Sequence, residues 1–391
     1  MSDAPRPYIV HVTADHPDVV QPAKSPVVAR LVELVGGTFE HKVVSLDRRS
    51  LAKASWAFPR FALHEAASEH AIDTLVYTAP PAGIYHRRML VKLGEALAQR
   101  LSDGPLPDLL IGHKLTVEGI AVARAAELLG VPYALSIQGN TDERILRMRP
   151  DLKRHFAPIY HGAAHVFPFT PWAREAVEAR LGARDHGVTL LPCPMARDTQ
   201  LAPRPGGDSL VTAFHLRNAK LKNLPAMAKA LDAARREHPK LTLSVIGGGS
   251  TPQVAAARAH ETRGMEFEGP IPNDRIAERF NAATGFILPS RRESFGLVFV
   301  EALFAGLPIA YPRRAAVDGY FDDCPFAVPV NASDKSVIAA AMATLHREEA
   351  ALKDALAQWQ GSEAARRFTR PAIGAAFRAG IEAALGRSAA A

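Results

Sequence analysis

Two glutamates, Glu293 and Glu301, stand eight residues apart in the segment F-I-L-P-S-R-R-E-S-F-G-L-V-F-V-E-A-L-F-A-G-L-P, residues 286–308. The segment reads as a buried strand (286–288), a sharp turn (289–294) and a short helix (about 296–305), closed by Gly306 with Pro308 just beyond. Glu301 is the only charge in a helix otherwise built from Leu297, Val298, Phe299, Val300, Ala302, Leu303 and Phe304. A helix that is apolar on every side is expected to be buried, and a buried carboxylate is costly unless paired. Glu301 therefore either meets a protein cation or faces a cleft, where it accepts hydrogen bonds from a ligand's hydroxyls. Glu293, taken alone, is a turn carboxylate with no particular chemistry.

Cations suited to an anionic ligand sit in the loop H-L-R-N-A-K-L-K-N, which follows a strand expected at 210–214. There Arg217, Lys220 and Lys222, together with the amides of the next helix, can hold a diphosphate; a solvated basic loop is the other reading. Gly247 and Gly248, in G-G-G-S after a strand at 241–246, either let a ligand approach the backbone or simply turn the chain. The amides of Phe295, Gly296 and Leu297 open the short helix and can bind phosphate, with Arg291 and Arg292 adjacent or facing solvent. In the other half of the chain, His113 in I-G-H-K-L-T-V-E-G ends a strand, as a ligand contact or as a core histidine. Glu118 in the helix that follows reads as an ordinary solvent-facing or first-turn acid.

The elements that must position these residues alternate between short β-branched runs and helical patterns. Strands are expected at 8–13, 41–46, 72–77, 109–111, 133–137, 165–167 and 188–190, with helices at 26–35, 88–101, 117–129 and 171–181 among them. A second alternating series runs from 210 through strands at 241–246, 266–268, 286–288, 309–311 and 327–330, ending in mostly helical sequence. Such alternation means parallel sheets with helices on both faces, and ligands of such sheets bind beyond the carboxyl ends of the strands. Residues 192–207, rich in proline and ending in Gly206-Gly207, carry no periodicity and read as a linker. The fold expected is α/β, two Rossmann-like doubly wound domains facing across a cleft.

Composition sets the outer limits. A chain of 391 residues with 48% hydrophobic and 22% charged residues can build two packed domains. It has no apolar run of the ~20 residues a membrane span needs and no signal-peptide segment at its start, so a cytoplasmic protein is expected. Two cysteines, Cys193 and Cys324, make neither a disulfide framework nor a zinc cluster. The net charge of +7 favours anionic partners, while the lack of a basic stripe interleaved with aromatics argues against nucleic acid. Two basic runs, 42–60 with Trp56 and Phe58, and 144–154, read as solvated faces, or as surfaces for an anionic acceptor or for a membrane carrying a lipid-linked glycan.

The run P-S-R-R-E-S-F-G-L-V-F-V-E-A-L-F-A-G-L-P resembles the E-x7-E signature of retaining glycosyltransferases with the GT-B fold, the large family-four (group 1) type that uses nucleotide-sugar donors. Arg217 followed five residues later by Lys222, the V-I-G-G-G strand end, F-E-G-P-I-P at 267–272 and L-L-P-C-P at 190–194, where the family usually reads Pro-Asn-Gly, occur in the family's order. The resemblance implies that Glu293 contacts hydroxyls of the donor sugar and Glu301 the nucleotide ribose. It implies further that Arg217 and Lys222 neutralise the leaving diphosphate, and that Ser294, Phe295, Gly296, Leu297, Gly247 and Gly248 complete the donor site. No Asp-x-Asp triplet occurs, so metal-independent transfer is expected, with a UDP- or GDP-sugar as co-substrate and no further cofactor.

Departures fall in the N-terminal half. Relatives commonly carry a Gly-Gly pair after the first strand; here the loop is D-H-P-D-V-V-Q-P-A-K-S-P, in which Lys24 by charge and Ser25 at a helix start are the candidates to replace it. Where relatives often carry His-Gly, this chain has Gln138-Gly139-Asn140, and glutamine hydrogen-bonds sugars but accepts no proton. The domains expected are residues 1–191 for the acceptor, a linker at 192–207, residues 208–361 for the donor, and 362–391 crossing back to the N-terminal domain. The activity expected is transfer to a glycan, lipid-linked or small-molecule acceptor in cell-envelope polysaccharide biosynthesis, possible peripheral membrane contact included. The alternatives are a nucleotide-sugar epimerase of the same fold and a non-catalytic binding subunit; sugar, base and oligomeric state are left open.

Overall fold

The computed structural model describes residues 5–51, 60–69 and 71–388. Trp56 and Phe58 lie outside the described residues. The chain divides into two compact units: residues up to Pro194 together with those from Arg370 onward, and Met195–Thr369.

The N-terminal unit is a seven-stranded sheet in the order β3-β4-β2-β1-β5-β6-β7. Its strands are β1 (Tyr8–Thr13), β2 (Glu40–Ser50), β3 (Leu63–Glu69), β4 (Ile72–Ala79), β5 (Leu109–Gly112), β6 (Tyr133–Ile137) and β7 (His165–Pro168). All pairings are parallel except β3 with β4. Strand β5, L-L-I-G, next to the central β1, is buried at every position, as a strand covered by helices on both faces must be. Three elements differ from expectation. β3 (L-H-E-A-A-S-E) escapes sequence reading because it is an antiparallel edge strand with mostly exposed side chains, so no apolar face marks it. The strand expected at 188–190 is a single bridge between Val166 and Val188. The basic run 144–154 belongs to two helices, Asn140–Met148 and Lys153–Gly162, joined by a 3-10 turn at Pro150–Leu152.

The last helix, Arg370–Ser388, lies in this same unit and packs on the helix Val27–Val35 and on β7. Its glycines make the approach possible. A Cβ at Gly374 would sit 3.3 Å from Leu34, and one at Gly380 would run into the Phe167 ring. Arg370 also meets Glu33 at 3.0 Å.

The second unit is a six-stranded, wholly parallel sheet in the order β10-β9-β8-β11-β12-β13. Its strands are β8 (Leu210–Ala213), β9 (Leu243–Ile246), β10 (Met265–Gly269), β11 (Gly285–Ile287), β12 (Ile309–Pro312) and β13 (Ala327–Val330). The proline-rich stretch expected as a linker is held down from residue 195 onward. Leu201 donates its amide to Phe304 O, Asn281 Nδ2 donates to Ala202 O, and the Lys353 ammonium donates to Arg204 O. Those bonds make residues 195–207 part of the second unit. Among the described residues no helix is long and apolar enough to cross a membrane.

Candidate active site

In the second unit the loop after β8 and the turn after β11 converge at the carboxyl ends of neighbouring strands. Lys222 and Glu293 form an ion pair there, each with 16% of its side chain exposed. Ser290 Oγ lies 3.5 Å from the same carboxylate oxygen, and the Ala316 amide donates to the Glu293 carbonyl at 3.1 Å. Glycine at 296 is what lets Glu293 stand beside the helix Leu297–Phe304. Its φ is +71°, a conformation that favours glycine, and a Cβ there would meet Phe299 at 2.7 Å and Glu293 Cγ at 2.9 Å. Beyond it the apolar segment closes with Gly306 at φ +77° and the Leu307 amide bonded back to Ala302 O at 2.9 Å, the left-handed helix ending the sequence suggested.

A residue that sequence reasoning missed locks the two loops together. Asn223, fully buried at φ +66°, donates from Nδ2 to Pro289 O at 3.1 Å and to Ala332 O at 2.7 Å, while its Oδ1 accepts from Arg291 Nε at 3.1 Å. The Arg291 amide in turn donates to Leu221 O at 3.0 Å. Asparagine tolerates this left-handed backbone, and the Pro225 that follows starts the helix Leu224–Ala234. Asn-Leu-Pro was the available signal.

The other expected donor-side residues divide. Arg217 is exposed, and its amide donates to the His215 ring at 3.3 Å. Ser294, Gly296 and Leu297 are half-buried, whereas Phe295 is buried beside Tyr320. Glu301 is half-buried rather than buried: the helix covers Phe299, Val300, Ala302, Leu303 and Phe304 but leaves Leu297, Val298 and Glu301 on a partly open side. Gly247 has a requirement of its own, with φ +148° and no room for a Cβ against the Phe214 carbonyl. The Gly248 carbonyl accepts from the Leu216 amide at 2.9 Å, so this glycine turn anchors the loop that carries Arg217.

In the N-terminal unit the strand-end residues are tied to one another. Lys24, expected to supply charge to a donor phosphate, is committed elsewhere: its ammonium lies 2.6 Å from Asp18, 2.9 Å from Asp47 and 3.2 Å from both Ser45 Oγ and Leu46 O, with 7% of the side chain exposed. A lysine between two buried carboxylates is a structural cross-link. Ser25 is exposed and accepts from the Val27 amide at 3.4 Å. Gln138 and Asn140 are half-buried. Gly139 between them, at φ +100°, would place a Cβ 2.6 Å from the Trp172 ring.

His113 is fully buried, a core residue rather than an exposed strand end. It is one member of an imidazole chain that crosses the sheet: His41 Nδ1 lies 3.0 Å from His11 Nε2, His11 Nδ1 lies 3.1 Å from His113 Nε2, and His113 Nδ1 lies 3.3 Å from Ser136 Oγ. Neutral imidazole offers one donor and one acceptor, which is what such a chain needs. Burial enforces that state, pushing His113 down to about 3 and His11 well below its ordinary value.

Glu118 also departs from expectation. It is fully buried, and burial pushes its carboxyl up to about 7. Its Oε1 accepts the Ala14 amide at 2.7 Å and lies 3.9 Å from the Lys114 ammonium, which pairs with Asp15 at 2.5 Å. Asp142, buried as well, accepts from the Thr116 amide at 2.9 Å and its hydroxyl at 2.7 Å.

A Thermosynechococcus elongatus sucrose-phosphate synthase superposes with a TM-score of 0.69 at 16% identity, covering 99% of this chain and 100% of that one. An Anabaena protein, HepE, solved with UDP and glucose, superposes with a TM-score of 0.64 at 13% identity, covering 96% and 100%. Two doubly wound parallel units of this kind have the GT-B glycosyltransferase fold. Residues 209–348 match the family described as Glycosyl transferases group 1. In sequence it is 28% identical over 213 residues to a D-inositol 3-phosphate glycosyltransferase of Streptomyces coelicolor, a match covering 50% of this chain and 44% of that one. The chain spans less than half the length of the first curated relatives it matches.

Proposed function

We propose that this chain is a glycosyltransferase that moves a sugar from a nucleotide-sugar donor to an acceptor, with retention of anomeric configuration and without a metal. The observation that carries the reading is the Lys222–Glu293 pair beside the amino end of the Leu297–Phe304 helix. Without ligand the ammonium and the carboxylate neutralise each other. A donor diphosphate draws the Lys222 ammonium, and Glu293 is then released to accept hydrogen bonds from sugar hydroxyls. As the glycosidic bond breaks, negative charge grows on the diphosphate, and a fixed cation with helix-start amides stabilises that charge more in the transition state than in the bound donor. Arg217, exposed on the same loop, is the second cation, and Glu301 is the candidate contact for the ribose. The E-x7-E resemblance supports retention.

UDP-sugars are the first donors to test, since three of the similar structures were solved with UDP or a UDP-sugar. The exposed cations Arg144, Arg147, Lys153 and Arg154 support an anionic or lipid-linked acceptor reached at the cytoplasmic face of a membrane. Glu293→Ala and Lys222→Ala each should lower UDP-sugar turnover by about 10²-fold or more, the effect typical of losing one transition-state contact, while the thermal melt moves little. Retention of most of the activity in both variants would remove the site assignment.

A further inference from the structure

We propose that Glu118 is a positioning residue of the N-terminal unit: through Lys114 it sets how Asp15 is presented, at the end of β1, to the hydroxyls of a bound sugar or polyol. The inference rests on the glycosyltransferase reading for its ligand, but its geometry is independent of that reading. Glu118 Oε1 holds the Ala14 amide, the first residue after β1. Its Oε2 is buried with no hydrogen-bond partner from another residue. Leaving a buried carboxylate oxygen unmatched is costly, and it marks Glu118 as a group with more to do than tie down one amide. Lys114 stands between two acids, 2.5 Å from Asp15 and 3.9 Å from Glu118. Asp15 is the more open of the two, with 28% of its side chain exposed against none for Glu118, and it follows β1, where ligands of parallel sheets bind.

Around Glu118 and its lysine stand Lys114 after β5, with the buried His113 next to it in the chain, Asp15 after β1, Tyr77 on β4 and Asp142 on the Asn140–Met148 helix. Lys114 is the only cation among these five. When Glu118 is protonated, Lys114 belongs to Asp15 and offsets its charge. When Glu118 ionises, it competes for the same ammonium and Asp15 becomes a stronger hydrogen-bond acceptor. With the carboxyl pushed up to about 7 by burial, that exchange falls in the neutral range.

The test compares wild type, Glu118→Gln and Asp15→Asn, with UDP-glucose as the probe, following UDP release between about pH 6 and pH 8. Hydrogen exchange is measured alongside at the Ala14 amide. Glutamine keeps an oxygen for Ala14 but cannot ionise. Wild-type KM is expected to change about tenfold across this range, the equivalent of one pKa unit of coupling, with kcat following a different course; in Glu118→Gln and in Asp15→Asn, KM is expected to be flat. Ala14 should stay protected in Glu118→Gln and lose protection in Glu118→Ala. A KM profile in Glu118→Gln that superposes on wild type would overturn the proposal. If wild type releases no UDP from any nucleotide sugar, it is the glycosyltransferase reading that falls. The positioning role is then judged by the protection factors of the Asp15 and His16 amides, with the intrinsic pH dependence of exchange divided out, which should change with pH in wild type alone; a pH-dependent protection factor that persists in Glu118→Gln overturns it.

Discussion

Replacing His113 by glutamine should make the N-terminal unit more tolerant of acid, by an amount the structure lets one work out. His113 is neutral and fully buried, pushed from 6.5 to about 3 by burial. In the unfolded chain it titrates near 6.5. Its folded value is depressed, so the neutral form's contribution is fully present above pH 6.5 and is lost as pH falls towards 3. At pH 5 the unfolded state has gained most of a proton that the folded state has not, a loss of about 2 kcal/mol. That is a large share of the roughly 5–15 kcal/mol that holds a domain together. Glu118 acts in the opposite direction: its raised carboxyl favours folding below pH 7 and partly hides the histidine effect in wild type. The difference between variant and wild type removes that offset. Whatever His113→Gln costs in packing is the same at both pH values, so its ΔΔG should become about 2 kcal/mol more favourable at pH 5 than at pH 7.5. Urea unfolding followed by Trp172 fluorescence, in a background where Trp56 and Trp359 are phenylalanine, reads this unit, because Trp172 is buried in it. Equal ΔΔG values at the two pH values would refute the buried, neutral imidazole chain.

Two further substitutions separate structural from ligand roles. Gly247→Ala forces a Cβ into the Phe214 carbonyl at φ +148° and should lower the melting of the second unit by an amount equivalent to about 3 kcal/mol or more, which differential scanning calorimetry will show without any ligand. Lys24→Met strands Asp18 and Asp47 and should cost the N-terminal unit about 3–5 kcal/mol in urea unfolding, while UDP binding by calorimetry stays at the wild-type value; weakened UDP binding would restore Lys24 to the donor site.

What could be read in the sequence was whatever local pattern decides. Strand-helix alternation gave both parallel sheets, and the apolar run ending in Gly306 and Pro308 gave the short helix with its left-handed ending. Glu293 and Lys222, 71 residues apart, were both named, yet nothing local says that they pair. β3 was hidden because an exposed antiparallel edge has no apolar period to detect. The partial exposure of Glu301 depends on which side of an all-apolar helix the neighbours cover, a tertiary fact. The same holds for Lys24, whose two acids come from different segments, and for His11 on β1, His41 on β2 and His113 just after β5, which only the sheet order brings side by side. Glu118 looked like a first-turn acid because helix starts favour acids in general; its burial follows from the strands packed around it.

The most direct test of the account is incubation of the protein with UDP-glucose and other UDP-sugars, with and without EDTA, measuring free UDP and the anomeric configuration of the released or transferred sugar by NMR. The account predicts slow UDP release that survives EDTA, gives the same anomer as the donor and is lost in Lys222→Ala. Inverted product, release abolished by EDTA, or full release by Lys222→Ala would contradict it.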